Sequence, residues 1–150
     1  MRHKKISRGR LLTAMTGLYG SKAILRSIRH SVSWATPKEF YELLNKEFSF
    51  DFDPCPINPT VNGIFCDWGK RNFVNPPYNK AIIGWLNKAL IEKEKGNMSV
   101  FLLPVRSDTI WFHDIVLKYA CEIRFIQGRL YFGEKRTNPA PFPSMLVIFK

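Results

Sequence analysis

Acidic residues are scarce in this chain: 12 Asp and Glu stand against 23 Lys and Arg, a formal net charge of +11. That imbalance favours nucleic acid or another polyanion as partner. No run of about 18 apolar residues is present, so no membrane-spanning helix is expected. The basic N-terminus lacks the unbroken apolar stretch and small-residue cleavage site of a secretory signal. Cysteine is rare: Cys55, Cys66 and Cys121 are odd in number and form no C-x-x-C pair. A disulfide framework is therefore excluded, and free thiols in a reducing compartment are expected. His3, His30 and His113 are scattered, so no Cys/His metal centre is expected. Internal repeats and low-complexity tracts are absent as well.

What is present suits one globular domain with a basic extension. A chain of 150 residues, 45% apolar, can bury a real core. The charge is uneven, with eight Lys and Arg and no acid in residues 1–34. We therefore divide the chain into a basic arm, 1–33, and a domain, 34–150. Within the arm, 1–10 reads as a tail, Leu11–Tyr19 as a short helix, and Ser21 as the cap of a second. The second helix would carry Ile24, Leu25 and Ile28 on one face and Lys22, Arg26 and Arg29 on another. That basic face suits phosphates and solvent equally well.

The domain opens with Trp34-Ala35-Thr36-Pro37. Thr36 suits an N-cap, Pro37 the first helical position, and Glu39 the far side of a capping box. A helix follows to about Phe48, with Phe40, Leu43 and Leu44 inward. Ser49–Asp53 reads as a strand ending in an acid, and Gly63–Asp67 as another. Only 14 positions separate Asp53 from Asp67, too few for a usual helix, strand and helix, and no G-x-G turn follows Asp53. Asn72–Val74 is a short apolar strand. Ile82–Lys93 is an amphipathic helix with Ile82, Ile83, Leu86 and Leu90 inward and Lys88, Glu92 and Lys95 outward. Met98–Leu103 is a central buried strand. The loop after it carries Arg106 and Asp108, a phosphate contact or a mutual pair. A helix with Trp111, Ile115 and Val116 inward, a strand Glu122–Ile126, a turn through Arg129, a loop Gly133–Pro143 and a last strand Ser144–Lys150 complete the chain.

Asn75-Pro76-Pro77-Tyr78 is the stretch with chemical content. It stands at the carboxyl end of a strand, where open α/β sheets bind ligands. Proline fixes φ, removes an N–H and biases the preceding residue to extended backbone. The Asn75 side-chain oxygen and the Pro76 carbonyl are thereby held as two acceptors, with the flat face of Tyr78 beside them. Two acceptors and a stacking face suit a planar ring bearing an exocyclic NH2. Accepting both N–H bonds concentrates the nitrogen lone pair and activates a poor nucleophile without a strong base. The plain alternative is a proline-rich turn with a surface tyrosine.

Six stretches in order carry a resemblance: WATPKEF, FDFDPCP, FVNPPYN, FLLPVRSDTIWFH, IRFIQGRLYF and PFPSMLVIF. Over residues 34–150 the chain resembles the small phage-type DNA N6-adenine methyltransferases. The resemblance implies an α/β fold, a reduced Rossmann-like S-adenosylmethionine-dependent methyltransferase fold with a mostly parallel sheet and an antiparallel edge region. It implies transfer of a methyl group from S-adenosyl-L-methionine to adenine N6 in double-stranded DNA, with the base flipped out, in the cytoplasm of a bacterial host. Asn75, Pro76, Pro77 and Tyr78 would form the catalytic motif. Trp34, Thr36, Pro37, Asp53, Pro54 and Asp67 would bind the cofactor: Thr36 and Pro37 against its methionine part, Asp53 at its ammonium, Asp67 at its adenine. Lys70, Arg71, Arg106 and Arg129 are the candidate nucleic-acid contacts, and neither metal nor membrane is called for. The same turn also serves methyl transfer to a protein glutamine amide, the same chemistry suits RNA adenine, and the missing glycines suit a non-catalytic DNA-binding protein. Oligomeric state is not legible.

Overall fold

The computed structural model describes residues 34–133 and 138–150; the arm with its two expected helices, and residues 134–137 of the expected loop, lie outside the described residues. Four strands form one sheet: β1 (Arg71–Val74), β2 (Met98–Pro104), β3 (Glu122–Phe125) and β4 (Ser144–Phe149), in the spatial order β1-β2-β4-β3. Helix α1 (Lys38–Phe48) precedes the sheet and α2 (Ile82–Glu94) joins β1 to β2. A π-helical turn, Phe112–Val116, runs into the short α3 (Leu117–Tyr119) between β2 and β3.

By pairing, the sheet is mixed rather than mostly parallel. β1 and β2 are parallel, while β4 is antiparallel to both β2 and β3. It follows that β1, β2 and β3 point one way and β4 runs against them from inside the sheet. Burial explains the placement. All six residues of β4 are buried, whereas β3 reads exposed, half-buried, half-buried, exposed. A strand apolar on both faces belongs in the interior of a sheet covered on both sides.

Side chains alternate between the two faces along each strand. Val74, Phe101, Leu103, Met145, Val147 and Phe149 pack with Leu86 and Ala89 of α2 and with Phe112 and Val116. Phe73, Val100, Leu102, Leu146 and Ile148 pack with Leu44 and Phe48 of α1 and with Phe132 and Ala140 of the loop before β4. The sheet is thus the middle of three layers. Arg124 fastens α1 to β3 by bonding both Glu47 and Glu122.

Several sequence expectations are corrected. Thr36 does not cap α1: the cap position is Pro37 and no side chain bonds there. Leu43 is exposed; the inward residues of α1 are Leu44 and Phe48 with half-buried Phe40 and Tyr41. Ser49–Asp53 is no strand but a single parallel bridge between Phe52 and Asn72. Pro54 has no N–H to continue a ladder, and the Asp51 carboxylate takes the Lys70 and Arg71 N–H groups instead. Gly63–Asp67 is a turn, because Asn62 Oδ1 accepts the Ile64 N–H at 3.1 Å and draws the backbone round. On α2, Ile83 is exposed while Lys88 and Glu92 are buried. Glu92 accepts from Lys88 Nζ at 2.7 Å, Lys95 Nζ at 2.8 Å and Asn97 Nδ2 at 2.8 Å. Burial pushes the Glu92 carboxyl up, but these hydrogen bonds outweigh it and leave it below the usual range. Asp108 and Arg106 form no ion pair with each other.

The register decides what shares the carboxyl end of β1. Val74 lies opposite Phe101, Pro104 opposite Ser144, and Phe125 opposite Met145. Asn75, the loop from Val105, Pro143 and the turn Ile126–Arg129 therefore meet at one edge. Lys70 and Arg71 stand at the other.

Candidate active site

Asn75 leaves β1 directly after fully buried Val74, and both prolines that follow are buried. Its Nδ2 donates to the Trp34 carbonyl at 2.7 Å and to Thr36 Oγ1 at 3.0 Å. A carbonyl oxygen can only accept, so the NH2 must face Trp34 and the amide has one permitted orientation. Oδ1 then points the other way. It is buried and has no hydrogen-bond partner among the described residues. Leaving a buried acceptor unpaired costs about 1–3 kcal/mol, so such an atom calls for a reason. The Pro77 carbonyl accepts the Asn79 N–H at 2.9 Å.

Beside Asn75 lies a cavity of about 290 Å³, lined by Ala35, Thr36, Lys38, Tyr41, Asp53, Cys55, Ile57, Phe73 and Asn75. That is near the lower size limit of small-molecule sites. Three of the expected site residues, Thr36, Asp53 and Asn75, meet there. Asp53 Oδ1 accepts the Cys55 N–H at 2.8 Å. Burial still pushes its carboxyl up to about 6. Burial, and then the charge of Asp53, push the Cys55 thiol up to about 12 and also raise Tyr41. Cys55 is thus an unreactive wall, and Asp53 is the cavity's titrating group near neutral pH.

Tyr78 is not the open face the sequence suggested. Trp34 stacks on it at 6.1 Å between ring centres and 29° between planes, and Phe142 and Phe132 meet it edge-on at 5.4 and 6.2 Å. Its hydroxyl donates to the Leu102 carbonyl at 3.3 Å, and burial holds it far above the usual tyrosine range. A planar ligand reaches the covered face only when the Trp34 indole turns aside. Trp34 is itself packed against Phe132 at 5.5 Å and Phe142 at 5.0 Å between ring centres.

The remaining candidates separate by place. Pro37 starts α1 and Pro54 is buried behind Asp53. Asp67 is not in the cavity: its side chain is 96% exposed and pairs with Lys95 at 3.2 Å. Lys70 bonds Asn97 Oδ1 and Arg71 bonds the Phe48 carbonyl, each at 3.0 Å, at the end of β1 remote from Asn75. Arg106 and Arg129 are exposed at the same edge as Asn75. Gly63 was missed. A Cβ there would stand 1.9 Å from the Pro54 carbonyl oxygen and 2.8 Å from the Trp85 ring. Its signal was visible, since it is the only glycine between Asp53 and Asp67. Among the described residues no three Cys, His, Asp or Glu side chains gather to hold a metal, and no helix is long and apolar enough to cross a membrane.

Comparison with known proteins gives two matches. A family model described as DNA N-6-adenine-methyltransferase (Dam) matches residues 26–150. A curated protein of Escherichia phage T1, named DNA N-6-adenine-methyltransferase, is 29% identical over 110 residues, covering 65% of this chain. The chain spans 45% of that relative's length. No solved structure matches.

Proposed function

We propose that this chain, which belongs to the DNA N-6-adenine-methyltransferase (Dam) family, transfers a methyl group from S-adenosyl-L-methionine to N6 of adenine in DNA. The observation that carries the reading is Asn75 Oδ1: a buried, unpartnered acceptor in a locked orientation, beside the cavity that holds Asp53.

The residues present fit the methionine half of that cofactor. Asp53 offers a carboxylate to the ammonium, and Ala35, Tyr41 and Ile57 form the wall beside it. Asp67, on the surface and paired with Lys95, would meet the adenine half only where the cofactor extends beyond the cavity. Three strands in one direction with one reversed strand among them support a reduced version of the methyltransferase sheet. Gly63 lets its turn pack against the Pro54 carbonyl and the Trp85 ring behind Asp53. When bound, the cofactor supplies the methyl group, whose C–S bond pair returns to sulfur as N6 takes the carbon.

The chain's own residues do the rest. Asn75 Oδ1 and the Pro76 carbonyl each accept one N–H of the adenine amine. This turns the N6 lone pair out of conjugation with the ring and fixes its direction. Most of the acceleration comes from holding N6 in line. After transfer N6 sheds one of its protons to water. Flipping the base costs a few kcal/mol, and stacking on Tyr78 returns about 1–3 kcal/mol of it once Trp34 has turned away. Arg106 and Arg129 hold phosphates at the rim, and the basic segment 1–33 adds further contacts.

The test is incubation with methyl-labelled S-adenosylmethionine and unmethylated DNA, followed by nucleoside analysis. N6-methyladenine supports the proposal. Label confined to RNA or protein replaces the substrate, and absence of label refutes the reaction.

A further inference from the structure

We infer that the Thr36 hydroxyl is a positioning residue for Asn75 rather than a cofactor contact. The inference rests on the proposed function for its catalytic consequence, but its structural half stands alone. An asparagine amide has two nearly isosteric ends, and only one orientation presents an acceptor to an amine. Were the amide turned over, NH2 would face the substrate's NH2 and the motif would be useless. In this fold two acceptors select the orientation. The Trp34 carbonyl takes one Nδ2 proton at 2.7 Å and Thr36 Oγ1 takes the other at 3.0 Å. With both protons engaged, the amide cannot rock towards the cavity, and Oδ1 is left buried without a partner.

The same contact explains a departure from the sequence expectation. Thr36 fails to cap α1 because its oxygen is turned to Asn75, 39 positions away. Bonds to Trp34 and Thr36 together tie the segment before α1 to the end of β1. A threonine hydroxyl can also donate, so its own proton remains available and does not compete with its acceptor role.

The experiment uses the full chain with Thr36→Val and Thr36→Ser. The first readout needs no activity: the Asn75 side-chain amide resonances in nitrogen-15 NMR. In the native chain both amide protons should be downfield and slow to exchange. Thr36→Val should move one proton upfield and speed its exchange about tenfold, and Thr36→Ser should restore both. The second readout is single-turnover methyl transfer beside cofactor affinity. Thr36→Val should slow transfer about ten- to a hundredfold, with the cofactor dissociation constant within about twofold of native, and Thr36→Ser should recover the rate. An unchanged Asn75 amide in Thr36→Val overturns the inference. So does a cofactor affinity that falls as far as the rate, which would return Thr36 to the cofactor. A native chain that transfers no methyl to DNA refutes the proposed function, while the amide resonances still decide whether Thr36 locks Asn75.

Discussion

Asp53 should make cofactor binding depend on pH. Burial holds its carboxyl at about 6, about two units above an exposed aspartate. An ammonium pairs with the ionised form only. Below pH 6 the fraction able to bind falls about tenfold per pH unit, so the dissociation constant should rise about tenfold between pH 7.5 and pH 5. Pairing with a cation stabilises the carboxylate, so binding at pH 5 should release close to one proton and binding at pH 8 almost none. Calorimetry in buffers of different ionisation enthalpy measures both quantities. The linkage has a second consequence, in stability. A folded-state pKa above the unfolded one means that the folded chain holds the proton more tightly. The contribution is fully present below about pH 4 and is lost as pH rises through 6. At neutral pH the buried anion therefore costs about 3 kcal/mol. Asp53→Asn should raise the melting temperature at pH 7.5, show a shrinking advantage towards pH 4, and weaken cofactor binding about ten- to a hundredfold. A flat affinity profile in the native chain, or the same slope in Asp53→Asn, would refute the argument.

Asn75→Ala should slow methyl transfer at least about a hundredfold, by analogy with removing one preorganised transition-state partner, and cost about 1–3 kcal/mol of stability, read by single turnover and by denaturant titration. Glu92→Ala should cost about 3–5 kcal/mol, because it leaves Lys88 buried without its carboxylate; a loss below about 1 kcal/mol in urea titration would show that the cluster holds nothing together. Gly63→Ala drives a methyl into the Pro54 carbonyl, so it should lower the denaturant midpoint; an unchanged midpoint would show that the backbone there gives way freely. Arg106→Ala and Arg129→Ala should each reduce the slope of log affinity for DNA against log salt by about 0.9, whereas Lys70→Ala, at the far edge, should leave the slope unchanged.

Local chemistry was legible in the sequence. Asn75-Pro76-Pro77-Tyr78 announces two acceptors on stiff backbone, since proline acts on its own φ and on the residue before it wherever the chain goes. Unbroken apolar runs gave β2 and β4, because a strand buried on both faces has no polar side to show. Period-3.6 apolar spacing gave α1 and α2 to within a residue or two. Where local signals competed, reading failed: Asn62 turned Gly63–Asp67 away from a strand, and Asp51 with Pro54 ended the one before it. These are side-chain-to-backbone contests that apolar pattern does not rank.

Other features exist only when distant segments meet. Helical spacing put Lys88 and Glu92 outward, but Lys95, Asn97 and each other give them partners enough to be buried. Parallel pairing of β1 with β2 and the reversed β4 sent Arg106 and Arg129 to the site's edge and Lys70 and Arg71 to the other. Motif chemistry required an acceptor at Asn75; which end of that amide faces the cavity was decided by Trp34 and Thr36, some 40 residues earlier. The physical reason is common to all three. The sequence by itself determines what a side chain is able to donate, accept or bury, and only the tertiary structure determines which partner it finds and therefore which of its atoms is left free to act.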